Sequence, residues 1–301
     1  MKVRIKFTKK GAMSYIGHLD VMRYFQKVIR RAEIPIAFSS GYSPHMIMSF
    51  ASPLGLGVTS EGEYFDIEMT ASISSKEAVA RMNATGVEGM AVQSFRQIPS
   101  GKKHSGMTIL AGASYRVTFS LDRSFLSKAL SNKKPSTDGT FDDTVEELNQ
   151  ILESFMAQPE IHILKETKRS VGMVDIKPLI VELKGKSDWE ERCFVAEEAL
   201  AGCDQDLSPC ECGRKDEVEK SLAIEMTLAA GSKENLKPNL VMKALCSFLG
   251  KEYNEFAYQV HRLEMYANVG DDKEIKLVSL ESLGEEIESS PSNQDVGRQM
   301  S

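Results

Sequence analysis

The alternation of apolar and polar side chains at the start of the chain constrains the fold more than any other feature. Val3, Ile5 and Phe7 alternate with Arg4, Lys6 and Thr8, the period of two that a half-buried strand needs. After Gly11 and Gly17 the period changes to 3.6. Val21, Met22, Phe25, Val28, Ile29 and Ala32 fall on one arc of a helix over residues 18–32, and Arg23, Lys27, Arg30 and Arg31 fall on the opposite arc. His18 falls toward the apolar arc. Such a helix packs its stripe on a sheet and shows a cationic ridge to water.

The pattern continues as β-α-β-β-α-β. Pro35 ends the helix, and residues 34–38 read as a second strand. Residues 39–59 are rich in Gly, Ser and Pro and read as a long structured loop. Tyr64, Asp66 and Glu68 then alternate with Phe65, Ile67 and Met69, a third strand. A helix is predicted over 74–84, with Ser74 or Ser75 as N-cap, and a fourth strand over 90–98. This order predicts a ferredoxin-like domain over residues 1–100.

Residues 101–106 read as a linker, after which a similar order recurs. Strands are predicted at 115–121, 161–167, 174–183, 222–229 and 256–267. Helices are predicted at 141–158 and 238–249, the latter opened by Pro238. The expectation is an α+β chain of tandem ferredoxin-like units. The second unit spans 114–269 and is elaborated by an acidic insertion at about 185–220. A polar tail is expected over 282–301.

No stretch approaches the ~20 uninterrupted apolar residues of a membrane span. The alternating start differs from the continuous apolar region of a signal peptide. A cytoplasmic protein with no membrane contact is therefore expected. The net charge of −6 hides an asymmetry: residues 1–60 carry nine basic and two acidic side chains, +7, leaving −13 for the rest. A basic end suggests an anionic partner, although a solvated basic face has the same composition.

The candidate sites divide by chemistry. Lys9, Lys10, Arg23, Lys27, Arg30 and Arg31 supply cations for phosphates, and Tyr15, Tyr42 and Phe50 supply planes for bases. His18 and His45 have the residue type for proton transfer near neutral pH. Neither has an identifiable acid, base or nucleophile beside it, and hydrogen bonding to loop backbone accounts for both. The binding set is Lys9, Lys10, His18, Arg23, Lys27, Arg30, Arg31, Tyr42 and His45, and no catalytic residue is assigned. The Gly-rich run at 49–57 has no G-x4-G-K-[ST] pattern. Cys193, Cys203, Cys210 and Cys212 have irregular spacing and no nearby His, so either a metal site or reduced thiols fits them. No cofactor is expected.

The runs Val3-Arg4-Ile5-Lys6-Phe7, Gly17-His18-Leu19-Asp20, Arg30-Arg31-Ala32, Gly41-Tyr42-Ser43-Pro44-His45, Ser49-Phe50-Ala51-Ser52-Pro53-Leu54-Gly55 and Ser60-Glu61-Gly62-Glu63-Tyr64-Phe65-Asp66 resemble the bacterial radical-SAM-linked protein family. This is a domain of unknown function found alone or behind a radical-SAM enzyme. Val174-Asp175-Ile176-Lys177-Pro178-Leu179 and Gly231-Ser232, with Asn235-Leu236-Lys237-Pro238, resemble it too. The N-terminal pattern is also similar to ferredoxin-like RNA-binding proteins of CRISPR systems. The resemblance implies an accessory of a radical-SAM protein, and the family's gene neighbourhoods imply RNA. The chain itself has no C-x3-C-x2-C run for a radical-SAM cluster, so a non-catalytic role in tRNA or rRNA modification or processing is expected. A protein–protein adaptor docking a radical-SAM partner, or an RNA-processing enzyme using His18 or His45, are the alternatives.

Overall fold

A computed structural model describes residues 1–119, 141–166, 171–188, 221–232, 234–270 and 275–288. The chain is mixed α+β, with a large mixed sheet and few helices. It divides into two compact units that interleave in sequence. The first holds residues 1–115, 227–236 and 260–301, and the second holds 116–226 and 237–259. The sequence reading expected two consecutive ranges instead. Cys193, Cys203, Cys210 and Cys212 lie outside the described residues, as do positions 189–220 of the expected insertion.

The first unit opens on β1 (Lys2–Lys9) and α1 (His18–Arg31). The apolar stripe of α1 buries Val21, Phe25, Val28 and Ile29. The helix stops before Pro35: Glu33 takes φ 54° and the Ile34 N–H returns to the Ile29 carbonyl, the Schellman form of helix ending. The second strand is displaced from expectation. Residues 34–38 make only isolated bridges, Ile36 to Met69 and Phe38 to Met46, and the strand is β2 (Met48–Phe50). Pro35 cannot donate to a ladder, which keeps this stretch out of a regular strand.

Next come β3 (Thr59–Glu68), α2 (Ser75–Ala84) and β4 (Val92–Ile98). Ser74 caps α2, its side chain accepting from the Glu77 N–H. β1 lies antiparallel between β3 and β4, with Ile5 opposite both Phe65 and Phe95. These three residues share one core with Val3, Phe7, Phe25, Ile29, Phe50, Ile67 and Met82. The stretch read as a linker holds a 3-10 turn at Lys102–His104 and leads into α3 (Gly106–Ile109).

β5 (Leu110–Phe119), β9 (Ser221–Ala229) and β10 (Tyr258–Asn268) each contribute residues to both units. With β12 (Glu285–Glu286), the neighbours in the first unit run β12-β4-β1-β3-β10-β5-β9. β11 (Leu277–Ser279) pairs β10 and β2 pairs β3. β10 meets β3 in parallel at Thr59–Ser60. Gly62 permits this approach: a Cβ there would lie 2.6 Å from the Leu263 carbonyl oxygen. Of the tail expected over 282–301, residues 282–288 are structured and reach the edge of β4; the rest lies outside the described residues.

The second unit contains α4 (Phe141–Met156), the ribbon β6 (His162–Glu166) with β7 (Val171–Asp175), β8 (Ile180–Asp188) and α5 (Pro238–Phe248). The strand expected over 174–183 is split by the turn at Lys177–Leu179. Asp175 secures the turn by accepting from the Ile161 and Lys177 N–H groups. The core holds Leu148, Leu152, Phe155, Ile163, Met226, Val241 and Leu245.

Candidate functional site

The amphipathic α1 carries the exposed cations of the first unit. Arg23, Lys27, Arg30 and Arg31 are all solvent-exposed. Arg23 reaches Asp20 at 3.4 Å, an exposed pair of little energetic weight. Lys27, Arg30 and Arg31 make no ion pair among the described residues. Arg30 and Arg31 sit in the last turn, where the helix dipole favours positive charge. Lys10 lies elsewhere, 3.5 Å from Glu61 with both side chains part-exposed.

Tyr42 is fully exposed in the 39–45 loop, and Tyr15 is 76% exposed before α1. Gly41 takes φ 114°, which restricts that position to glycine. His45 closes this loop rather than facing a reaction centre: its Nδ1 lies 2.8 Å from Ser39 Oγ, which also accepts from the His45 N–H. Phe50 is buried and offers no face to a base.

Lys9 departs from the sequence expectation. It is 2% exposed, and its ammonium donates to the Ser14 and Ile16 carbonyls. It cannot join the ridge of α1. Lys9, His18, Phe50, Ser52, Leu54 and Glu63 instead line a cavity with room for about one water molecule. The His18 ring stands edge-on to Phe50 at 5.1 Å. Glu63 is buried and paired with buried Arg262 at 2.9 Å. Burial drives the Glu63 carboxyl above its ordinary value, against the pull of Arg262, Ser60 and Lys9. Burial also lowers the Lys9 ammonium, with Glu63 opposing. Arg262 lies over the Tyr115 ring at 5.4 Å, and its Nε has no hydrogen-bond acceptor among the described residues. The cluster therefore sets two basic side chains against one acidic side chain.

Next along β3, Glu61 is held down at about 2, chiefly by the His261 imidazole, whose Nε2 lies 3.6 Å away and whose Nδ1 meets Thr59 Oγ1 at 2.8 Å. The face of the sheet turned from the helices is polar and covered. Arg4 makes a two-pronged contact with Asp66 and donates to the Leu280 and His104 carbonyls. Lys6 pairs with Glu264 and Glu281, and Tyr64 donates to Glu264 at 2.6 Å. This face is closed to the base stacking that open four-stranded sheets offer RNA.

The structure thus brings Lys9 and His18 together with Glu63 and Arg262, and leaves Arg23, Lys27, Arg30, Arg31, Tyr42 and His45 at the surface. Glu63, Arg262, His261 and Glu264 were missed by the sequence reading. One local signal existed: Lys9 and Glu63 continue the core parity of Val3-Ile5-Phe7 and of Phe65-Ile67-Met69. No sequence signal pointed to Arg262, which lies 199 positions from Glu63. Among the described residues no cluster of His, Cys, Asp and Glu gathers as a metal site, and no helix is long and apolar enough to cross a membrane.

Residues 2–238 match the family described as an uncharacterized protein conserved in bacteria (DUF2344), and the chain belongs to that family. A comparison with curated proteins gives no match.

Proposed function

We propose that this protein binds RNA through the ridge of α1 and acts as a non-catalytic accessory of a radical-SAM enzyme. One observation carries the RNA part: Arg23, Lys27, Arg30 and Arg31 are exposed on one helix arc, three of them without an ion-pair partner among the described residues. Cations held free of carboxylates remain available to phosphates. Exposed Tyr15 and Tyr42 add faces on which unpaired bases stack. The radical-SAM partner rests on the sequence resemblance alone.

Tandem ferredoxin-like architecture belongs to the same reading. The neighbours β4-β1-β3-β2 follow the order of a βαββαβ fold. The neighbours β10-β5-β9-β8 repeat that order, with α4 after β5 and α5 after β9. The ribbon β6-β7 is then an elaboration between α4 and β8.

Labelled polyuridylate and total tRNA, titrated by fluorescence anisotropy, test the proposal. Four phosphate contacts to a single strand give a salt slope near −3, so affinity should fall about 50-fold between 50 and 200 mM salt. Reversal of the ridge (Arg23→Glu, Lys27→Glu, Arg30→Glu, Arg31→Glu) should abolish binding. Absence of RNA retention at low salt defeats the proposal. Co-purification with a radical-SAM protein that survives nuclease and needs no RNA favours the adaptor reading instead.

A further inference from the structure

We infer that the edge of β4, with Arg96 and Lys6, is a receptor for an acidic extended peptide, which the chain occupies in cis with its own residues 281–288. Those residues read Glu-Ser-Leu-Gly-Glu-Glu-Ile-Glu, four carboxylates and no cation. They follow Leu280, which is fully buried and anchors the segment.

Three kinds of contact hold the segment, and each specifies part of an occupant. Charge comes first: Glu281 meets Lys6 at 3.2 Å and Arg96 at 3.6 Å, and Glu286 meets Arg96 at 3.5 Å. Backbone pairing comes second: Glu285 and Glu286 pair with Gln97 and Arg96 as a short antiparallel ladder. The Ile287 N–H then donates to Ser75 Oγ, and the Ser75 N–H donates to the Ile287 carbonyl. An apolar anchor comes third, with Ile287 packed against the core of the first unit. A ladder and an apolar anchor select a polypeptide over a nucleic acid, because only a peptide supplies both.

The contacts also show a hold that can exchange. The Arg96 ion pairs are long, and the buried Arg96 Nε, 3.6 Å from Glu281, has no acceptor within hydrogen-bond distance among the described residues. Glu286 is 72% exposed, and the ladder is two residues long. Segments secured by few buried contacts open before the sheet beneath them. A partner's acidic strand with a better Arg96 contact would take the same place.

The test uses the full chain and a fluorescein-labelled peptide with the sequence of residues 281–288. Glu286→Lys weakens the cis hold at an exposed position, and Ile287→Ala weakens it at the anchor. Either variant should bind the peptide at least tenfold more tightly than the native chain, with affinity falling as salt rises. Adding Arg96→Glu should remove that binding, and a peptide with its four Glu replaced by Gln should not bind. Amide exchange at Ile287 should outpace that at Ile5 and Phe65 in the native chain. The inference is overturned if neither variant gains peptide affinity, if the Gln peptide binds equally, or if polyuridylate replaces the peptide with the same Arg96 dependence. None of these outcomes depends on RNA binding at the α1 ridge.

Discussion

Replacing Glu63 by Gln tests whether the buried cluster of the first unit is an electrostatic unit. The Glu63 carboxylate accepts from Arg262 at 2.9 Å, and the two side chains are 4% and 6% exposed. Removing one partner of a buried pair typically costs about 3–5 kcal/mol, because the other charge stays buried and uncompensated. Here two cations remain, since Lys9 lines the same cavity. At about 2–4 °C per kcal/mol for a unit of this size, the midpoint of thermal unfolding should fall by about 6–20 °C. Lys9→Met alone should also destabilise, by about 1–3 kcal/mol, because the Ser14 and Ile16 carbonyls lose their donor. The signs differ in combination. Arg262→Met added to Glu63→Gln should recover much of the loss, because the double variant buries no unpaired member of the pair. Circular dichroism melts and urea midpoints at pH 7 provide the readout as a double-mutant cycle. A Glu63→Gln cost below about 1 kcal/mol, or additive losses at Glu63 and Arg262, refutes the reasoning.

Further outcomes follow from individual contacts. Asp66→Asn should cost about 3–5 kcal/mol, since Arg4 loses its buried carboxylate and Gly106 N–H a charged acceptor; urea denaturation reads it. Gly62→Ala should destabilise by about 2 kcal/mol or more, because its Cβ meets the β10 backbone, whereas exposed Gly172→Ala should be nearly neutral. Glu61, held at about 2, stabilises the fold above its unfolded value near 4.5, and that contribution disappears as pH falls from about 4.5 to 2. Its part-exposure limits the effect to about 1 kcal/mol, and His261→Ala should flatten that window in acid titrations of stability. His45→Ala should change stability by less than about 1 kcal/mol, and any RNA cleavage that survives His18→Ala and His45→Ala rules out both imidazoles.

The elements with a clear period were legible in the sequence. Val21, Phe25, Val28 and Ile29 placed α1, and Val3, Ile5 and Phe7 placed β1 with the correct inward face. The second strand was misplaced because Ile34 and Ile36 are apolar for a different reason. They are buried in an irregular crossing beside Pro35, while β2 is only three residues long. The cation set was half legible. Helical spacing gave the exposure of Arg23, Lys27, Arg30 and Arg31. Charge alone put Lys9 with them, although its parity after Phe7 already placed it on the core side. Arg262 and Glu264 were beyond reach, since β10 meets β3 only through a parallel pairing of distant segments, and local pattern carries no record of such a pairing.

The same pairing orders events in time. β3 and β4 belong to the first third of the chain, yet β10 and β12, from its last fifth, cover part of one and an edge of the other. At 5–20 residues per second, a ribosome needs about 10–40 s to travel from Ile98 to Glu286. For that interval the emerging N-terminal module carries hydrogen-bonding edges, and Lys6 and Glu63 have yet to meet Glu264 and Arg262. The nascent chain therefore completes this module only after β10 and β12 have emerged, and a chaperone has its longest opportunity at these two strands.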